Sequence, residues 1–385
     1  MKGLLRNPPL SLYVHMPWCV RKCPYCDFNS HTAPDTLPAE EYIQALVADL
    51  EQDLPLVWGR PVQSVYFGGG TPSLFSAGQI ATFLSAARAR LDLRPDVEIT
   101  LEANPGTIER DSFSAYAEAG INRVSLGVQS FDDTLLEQIG RIHGREEIEQ
   151  SLQSLKSAGI SNFNIDLMYS LPGQSPNQSR RDIQLAVDAG PAHISFYHLT
   201  IEPNTAFAKE PPQLPVDDVA WDMQQTGQDI LEANAYMQYE ISAFAQTEKQ
   251  SRHNMNYWRY GDFLAIGAGA HGKITIAAEG QVQRFAKYRH PKRYMQGLES
   301  GDWRAETRIL SDEELVFEFF LNQLRLKDGV SIDDFSARTG LPWNVVEARV
   351  VKAVDKGLLE VRHERVSPTV LGWRFVSDIQ QIFLP

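Results

Sequence analysis

Cysteine is scarce in this chain: there are three in 385 residues, and all three sit together as Cys19, Cys23 and Cys26. So tight a group cannot form a disulfide framework, and in a reducing compartment it points to metal binding or catalysis. Long apolar runs are missing as well. No stretch approaches the roughly 18 residues that a membrane span needs, and the opening MKGLLRNPPL lacks the apolar segment of a secretory signal. A cytoplasmic protein without an integral membrane segment is therefore expected. Dense basic runs are also lacking, RHPKR at 289–293 being the nearest to one. With a formal net charge of −13, this argues against a nucleic-acid binder, because phosphate contacts need clustered Lys and Arg.

The first half of the chain repeats one unit: a short apolar, β-branched or aromatic run, a polar turn, then an amphipathic helical stretch. The runs are LSLYVHM (10–16), VQSVYF (62–67), VEITLEA (97–103), RVSLGVQ (123–129), NFNIDLMY (162–169) and HISFYHLTI (193–201). Between the first two, Tyr42, Leu46, Leu50 and Leu54 recur every fourth residue after Thr36-Leu37-Pro38, a helix start. Gly120 and Gly159 close later helical stretches. Six strand–helix units in series predict a parallel sheet, since parallel neighbours need crossovers of this length. The count favours an incomplete (β/α)6 barrel, with a doubly wound open sheet as the alternative; in both, ligands bind at the carboxyl ends of the strands.

Beyond 202, prolines punctuate a loop before a helix near 217–233 and a strand-like YEISAFA (239–245). The expected organisation is an α/β core over 5–240, an irregular Gly-rich connecting region over 241–310, and a small winged-helix-like domain over 311–385. The last is read from helical stretches at 311–327, 331–339 and 342–357, a hairpin at LLEVRHERVSPT and a final helix. Without basic clusters, its wing is read as a packing or partner element rather than a DNA reader.

The cysteines follow the first strand and so lie on the binding rim, where three chemistries compete. CPYC alone looks like a glutaredoxin site, in which an activated thiolate starts a helix; here DFNSHTAPD continues as loop and Cys19 stays idle. A zinc site would need a fourth ligand, such as His15 or His31. A cluster of four irons and four sulfurs held by three thiolates keeps one iron open for a small ligand. Other strand ends carry polar groups. Gly68, Gly69 and Gly70, followed by Thr71, permit a tight turn or a backbone cradle. Glu102 ends the third strand, Gln129 ends the fourth, Arg141 follows the helix after Gln129, and Asp166 lies in the fifth strand. Singly these are caps, core hydrogen-bond partners or a surface arginine; together, facing a metal loop, they outline a cofactor cup.

YVHMPWCVRKCPYC, FGGGTP, EANP, GVQSF, GRIHG and NIDLMYSLPGQ, in this order, resemble the radical S-adenosylmethionine (SAM) proteins related to oxygen-independent coproporphyrinogen III oxidase. The resemblance implies that Cys19, Cys23 and Cys26 bind a 4Fe-4S cluster whose open iron chelates SAM, and that one-electron reduction then releases an adenosyl radical. Tyr13, Gly69 and Glu102 match contacts to that SAM. Tyr25, Gly70, Thr71, Gln129, Arg141 and Asp166 match contacts to a second SAM described for the oxidase.

Two departures set this sequence apart from the oxidase, which has a further cysteine where this chain has Phe28 and a longer segment ahead of the first strand, where here twelve residues precede Tyr13. In their place stands HNMNYW, and HNxxYW marks the haem-chaperone branch of the family. His253, Asn254, Tyr257 and Trp258 are thus candidate haem contacts: an imidazole can ligate iron, and aromatic faces suit a flat macrocycle. His271 is a second candidate, while His15 and His31 flank the cluster loop as hydrogen-bonding neighbours. The implied function is a haem chaperone that binds haem, a 4Fe-4S cluster and SAM and transfers haem to an acceptor protein, which could be membrane-bound. An electron donor such as a flavodoxin or ferredoxin is the other implied partner. The alternatives are decarboxylation of coproporphyrinogen III propionates and, in another class, a zinc-clipped regulatory protein.

Overall fold

A computed structural model describes residues 5–106 and 111–385; part of MKGLLRNPPL and residues 107–110 of the expected core lie outside them. At its centre are six strands that lie side by side in chain order and all run parallel: β1 (Leu10–Met16), β2 (Pro61–Gly69), β3 (Asp92–Ala103), β4 (Arg123–Gln129), β5 (Phe163–Tyr169) and β6 (His193–His198). A doubly wound sheet would reverse direction beside its first strand. The sequential order therefore selects the partial barrel. The β4 strand is buried at every position, as a parallel strand covered on both faces must be, which is why it reads as a continuous apolar run.

The crossovers are α1 (Ala39–Asp53), α2 (Ala77–Arg88), α3 (Phe113–Ala119), α4 (Asp133–Gln138), α5 (Arg145–Ser157) and α6 (Pro176–Ala189), with α7 (Asp217–Ala233) after β6. Tyr42, Leu46 and Leu50 bury one face of α1, whereas Leu54 has passed into a short 3-10 turn. Ser76 with Gln79, and Ser175 with Gln178, form reciprocal caps that start α2 and α6. Gly120 ends α3 at φ 110°, a left-handed conformation that favours glycine.

YEISAFA is two strands rather than one: β7 (Met237–Glu240) and β8 (Ala243–Ala245) form a hairpin whose β8 pairs antiparallel with β6. The backbone turns between them because Glu240 Oε1 accepts hydrogen bonds from the Ser242 amide (3.0 Å) and hydroxyl (3.1 Å). A larger correction concerns 241–310, expected to be irregular. It contains α8 (Arg252–Trp258) and then four strands of the main sheet: β9 (Asp262–Ile266), parallel to β1, followed by the antiparallel β10 (His271–Ile276), β11 (Gln281–Lys287) and β12 (Arg304–Ile309). Charged residues disguised them. Lys273 donates to Asp262 (2.9 Å), and Lys287 is buried between Asp49 and Asp53 of α1 (2.7 Å to Asp53), so these lysines are core groups. The finished sheet has twelve strands in the order β12-β11-β10-β9-β1-β2-β3-β4-β5-β6-β8-β7 and does not close.

The C-terminal part holds α9 (Asp312–Gln323), α10 (Ile332–Thr339) and α11 (Asn344–Asp355), and a wing in which β13 (Val330–Ser331) joins the hairpin β14 (Leu359–Arg362) and β15 (Arg365–Pro368). The final helix is split into α12 (Val370–Arg374) and α13 (Val376–Ile382). Phe319, Phe320, Phe335, Val346 and Phe383 give this part its own core, and Tyr260 and Val282 of the sheet side pack into it. No helix among the described residues is long and apolar enough to cross a membrane.

Candidate functional site

After β1 the chain makes a two-residue strand, Trp18–Cys19, paired with His31–Thr32, so residues 20–30 are closed into a loop. The Cys26 amide donates to the Cys23 carbonyl (3.1 Å), turning the chain tightly around Pro24-Tyr25. All three thiols are free, and all three line one cavity of about 370 Å³ at the carboxyl ends of the strands. Burial pushes the Cys19 and Cys26 thiols above the usual range. A single zinc ion would draw its thiolates to within about 4 Å of one another; among the described residues no group of three or more His, Cys, Asp or Glu is gathered closely enough to hold one ion. Of the two candidate fourth zinc ligands, His15 has both ring nitrogens occupied: Nε2 donates to the Asn29 carbonyl (2.9 Å), and Nδ1 accepts from the Tyr13 hydroxyl (3.0 Å); His31 Nε2 donates to the Arg289 carbonyl (3.3 Å). Three soft donors lining one open cavity suit an iron–sulfur group with a vacant position.

The glycine run acts as a cradle. Gly69 adopts φ 113°, and a Cβ there would lie 2.5 Å from the His15 ring; a Cβ on Gly70 would lie 2.5 Å from the Trp18 carbonyl oxygen. Only glycine lets the end of β2 rest against the cysteine loop, where the Gly70 and Thr71 amides donate to Met16 (2.7 Å) and Trp18 (2.8 Å). Glu102, at the end of β3, receives the Gly69 amide (3.1 Å) and the Tyr66 hydroxyl (2.7 Å). Burial raises its pKa to about 7, Asp166 adding to the rise and the Tyr66 and Gly69 hydrogen bonds opposing it. Arg141 donates to the Gly127 carbonyl (2.6 Å), the Asn104 side chain and Cys23 Sγ (3.5 Å), so it is a wall of the cavity and no loose surface group. Gln129 has φ 70°, rare for a side-chain-bearing residue, and accepts from the Tyr197 hydroxyl (2.7 Å). Asp166 is held by Asn164 (2.8 Å) and Ser125 (3.1 Å), and burial raises its pKa.

Every expected cluster and SAM residue lines this cavity except Tyr13. Tyr13 faces a neighbouring pocket of about 620 Å³, which Gly69, Glu102 and Phe28 also line. That pocket contains the whole candidate haem set, His253, Asn254, Tyr257 and Trp258, and His271 at its edge. Ser251 caps α8 through the Asn254 amide (3.3 Å), and α8 packs on β1, β2 and β9, which sets His253 against Ser64 of β2. The His253 ring lies 4.8 Å from that of Tyr66 and 6.1 Å from that of Tyr13. Asn254 and Trp258 line both cavities.

Several lining residues were not foreseen. Tyr66 and Phe263 complete the aromatic wall, and Asn29 and Arg289 reach the same pocket. Arg325, from just beyond α9, enters the strand-end cavity, pairs with Glu240 (3.1 Å) and covers the Trp258 ring at 4.3 Å. Tyr66 could have been found, as the last tyrosine before the glycine run; the others have no local sequence signal.

A cysteine loop on the first strand of a partial barrel, with a glycine cradle and polar groups on later strand ends, defines a radical SAM protein. The Radical SAM superfamily profile matches residues 13–186, and that of the HemN C-terminal domain matches 310–375. The superfamily brings with it a 4Fe-4S cluster and SAM. The solved coproporphyrinogen III oxidase (HemN) of Escherichia coli, a radical SAM enzyme, superposes with a TM-score of 0.83 over 98% of this chain and 90% of that one, at 23% identity, a likeness of fold. The heme chaperone HemW of Escherichia coli is 44% identical over 383 residues, covering 99% of this chain and 100% of that protein. HemW of Haemophilus influenzae is 43% identical, with 98% of each covered. The chain belongs to the heme chaperone HemW family.

Proposed function

We propose that the protein binds haem in the aromatic pocket, next to a 4Fe-4S cluster on Cys19, Cys23 and Cys26, and hands that haem to an acceptor protein. When bound, the cluster supplies one electron to SAM. Gly69 and Glu102 position the amino acid end of that SAM, and Tyr25, Gly70, Thr71, Gln129, Arg141 and Asp166 line the space beyond it. Tyr13 fixes His15 under the glycine cradle from the neighbouring pocket. An electron donor of the flavodoxin or ferredoxin kind would approach the exposed outer face of the cysteine loop.

The observation that carries the haem assignment is the state of His253. Ser64 Oγ donates to Ser11 Oγ (2.7 Å), so at 3.2 Å it accepts a hydrogen bond from His253 Nδ1–H. Nε2 is then the bare nitrogen, and it makes no hydrogen bond to any described residue. Burial lowers the His253 pKa to about 3, so the ring is neutral at pH 7. A neutral imidazole whose tautomer is fixed by a hydrogen bond behind it is the form that ligates a metal. Tyr13, Tyr66, Tyr257 and Trp258 offer faces to the macrocycle.

Haem titration tests this. The wild-type protein is expected to shift the Soret band, and His253→Ala to bind about tenfold more weakly or worse while keeping its cluster iron. Unchanged affinity in His253→Ala would remove it as a principal ligand. Sustained release of carbon dioxide from coproporphyrinogen III would overturn the chaperone reading in favour of the oxidase.

A further inference from the structure

The pocket around His253 changes character from floor to rim. Its floor is aromatic, lined by buried Phe263 and by half-buried Tyr66 beside His253; His271 and Arg289 stand exposed at its edge. Arg289 belongs to RHPKR, the short basic run that the fold brings beside the cysteine loop. Its backbone is pinned there, because its carbonyl accepts from Asn29 Nδ2 (2.8 Å) and His31 Nε2 (3.3 Å). Its guanidinium, by contrast, has no hydrogen bond or ion pair among the described residues. Four nearby cations are engaged elsewhere: Arg284 with Glu318, Lys287 with Asp49, Arg293 with Asp302 and Arg304 with Asp53. Asp27, also at the rim, forms no ion pair with Arg289.

An anchored arginine without a carboxylate, in a chain with 49 acidic residues against 36 basic ones, is arranged for a carboxylate from outside. The planar guanidinium grips such a group through two parallel hydrogen bonds, and an aromatic floor excludes water from the ligand's apolar body. We propose that Arg289, with His271 beside it, is the rim site that holds a propionate side chain of the tetrapyrrole while His253 faces the metal. This deepens the haem reading above and rests on it. The rim would make the pocket selective for tetrapyrroles with free carboxylates. It would also link cargo to cofactor, since the loop that carries the cysteines supplies Asn29 and His31, which position Arg289.

The test compares haem with haem dimethyl ester, whose propionates are capped, using the full chain with its cluster reconstituted and Soret titration as the readout. Wild type is expected to prefer haem roughly tenfold. Arg289→Ala should lose that preference by weakening haem alone, with the ester affinity as its internal control for an intact pocket. Arg289→Lys should restore part of the preference. If wild type binds haem and the ester equally, or if Arg289→Ala keeps the preference, the rim assignment is wrong while the haem reading stands. If wild type gives no Soret response to haem, both fall together.

Discussion

The two cavities share Phe28, Gly69, Glu102, Asn254 and Trp258, yet they are built for different chemistry. The strand-end cavity is edged by three thiols and by ionisable groups in tension with burial: Glu102 raised to about 7, Asp166 raised above its usual range, and Arg141 against Cys23. The neighbouring pocket is walled by rings, and burial holds two of its histidines uncharged, His253 at about 3 and His15 at about 4. Their construction differs as well. The first is formed by the loop after β1, the ends of β2–β6 and the β7–β8 hairpin, where a parallel sheet concentrates polar side chains. The second depends on elements added outside β1, namely α8, β9, β10 and the turn to Arg289. A barrel edge thus supplies the cofactor cup, and an extension of the same sheet supplies a binding wall beside it.

The sharpest way to separate the two is to empty one. Replacing Cys19, Cys23 and Cys26 together with Ala should reduce iron from about four per chain after anaerobic reconstitution to none, leave the far-ultraviolet circular dichroism in place, and retain a Soret shift with haem. Stoichiometric zinc in the wild-type protein, without iron, would defeat the cluster assignment. Loss of haem binding along with the iron would show that the cavities do not work separately. A second cut reaches the extension. Lys287→Met strands the buried carboxylates of Asp49 and Asp53, with Arg304 (2.5 Å to Asp53) and Tyr294 (2.6 Å to Asp49) as remaining partners. Breaking one side of a buried ion pair costs about 3–5 kcal/mol, to be read from urea unfolding. A loss below about 1 kcal/mol would mean that packing alone fastens β9–β12 to α1.

The barrel half of this contrast was legible in sequence, and the extension was not. LSLYVHM and RVSLGVQ coincide with β1 and β4 because parallel strands are apolar on both faces. The strands from 262 to 309 carry Asp262, Lys273 and Lys287, whose charge signals solvent until the partner across the fold is known. The same limit applies to the site. Spacing exposed the cysteines and the glycine run, and the family motif exposed His253. Phe263, Arg289 and Arg325 reach their cavities from segments far along the chain, which only the folded sheet brings together. Tyr13 lies on the expected strand, but its hydroxyl is turned to His15, so its ring faces the aromatic pocket.

The smallest predicted effect probes the boundary itself, at Glu102. Its pKa is raised from an ordinary value of 4.5 to about 7. Between those values the folded protein therefore keeps a proton that the unfolded chain has released. With more protons bound in the native state, stability must fall as pH rises through this window and level off above pH 7. Glu102→Gln removes the titration while keeping an acceptor oxygen for Tyr66. Measured on the cluster-free protein by urea unfolding, the stability of wild type relative to Glu102→Gln should fall by about 1–2 kcal/mol between pH 5 and pH 8, allowing for water in the open cavity. A ligand ammonium group placed against Glu102 would favour the carboxylate, so SAM should bind the cluster-loaded wild type more tightly as pH rises towards 7, and this dependence should vanish in Glu102→Gln. A stability difference that is flat with pH would mean that Glu102 is ionised throughout. The boundary between the two cavities would then carry a fixed negative charge, and the aromatic pocket would feel it at every pH.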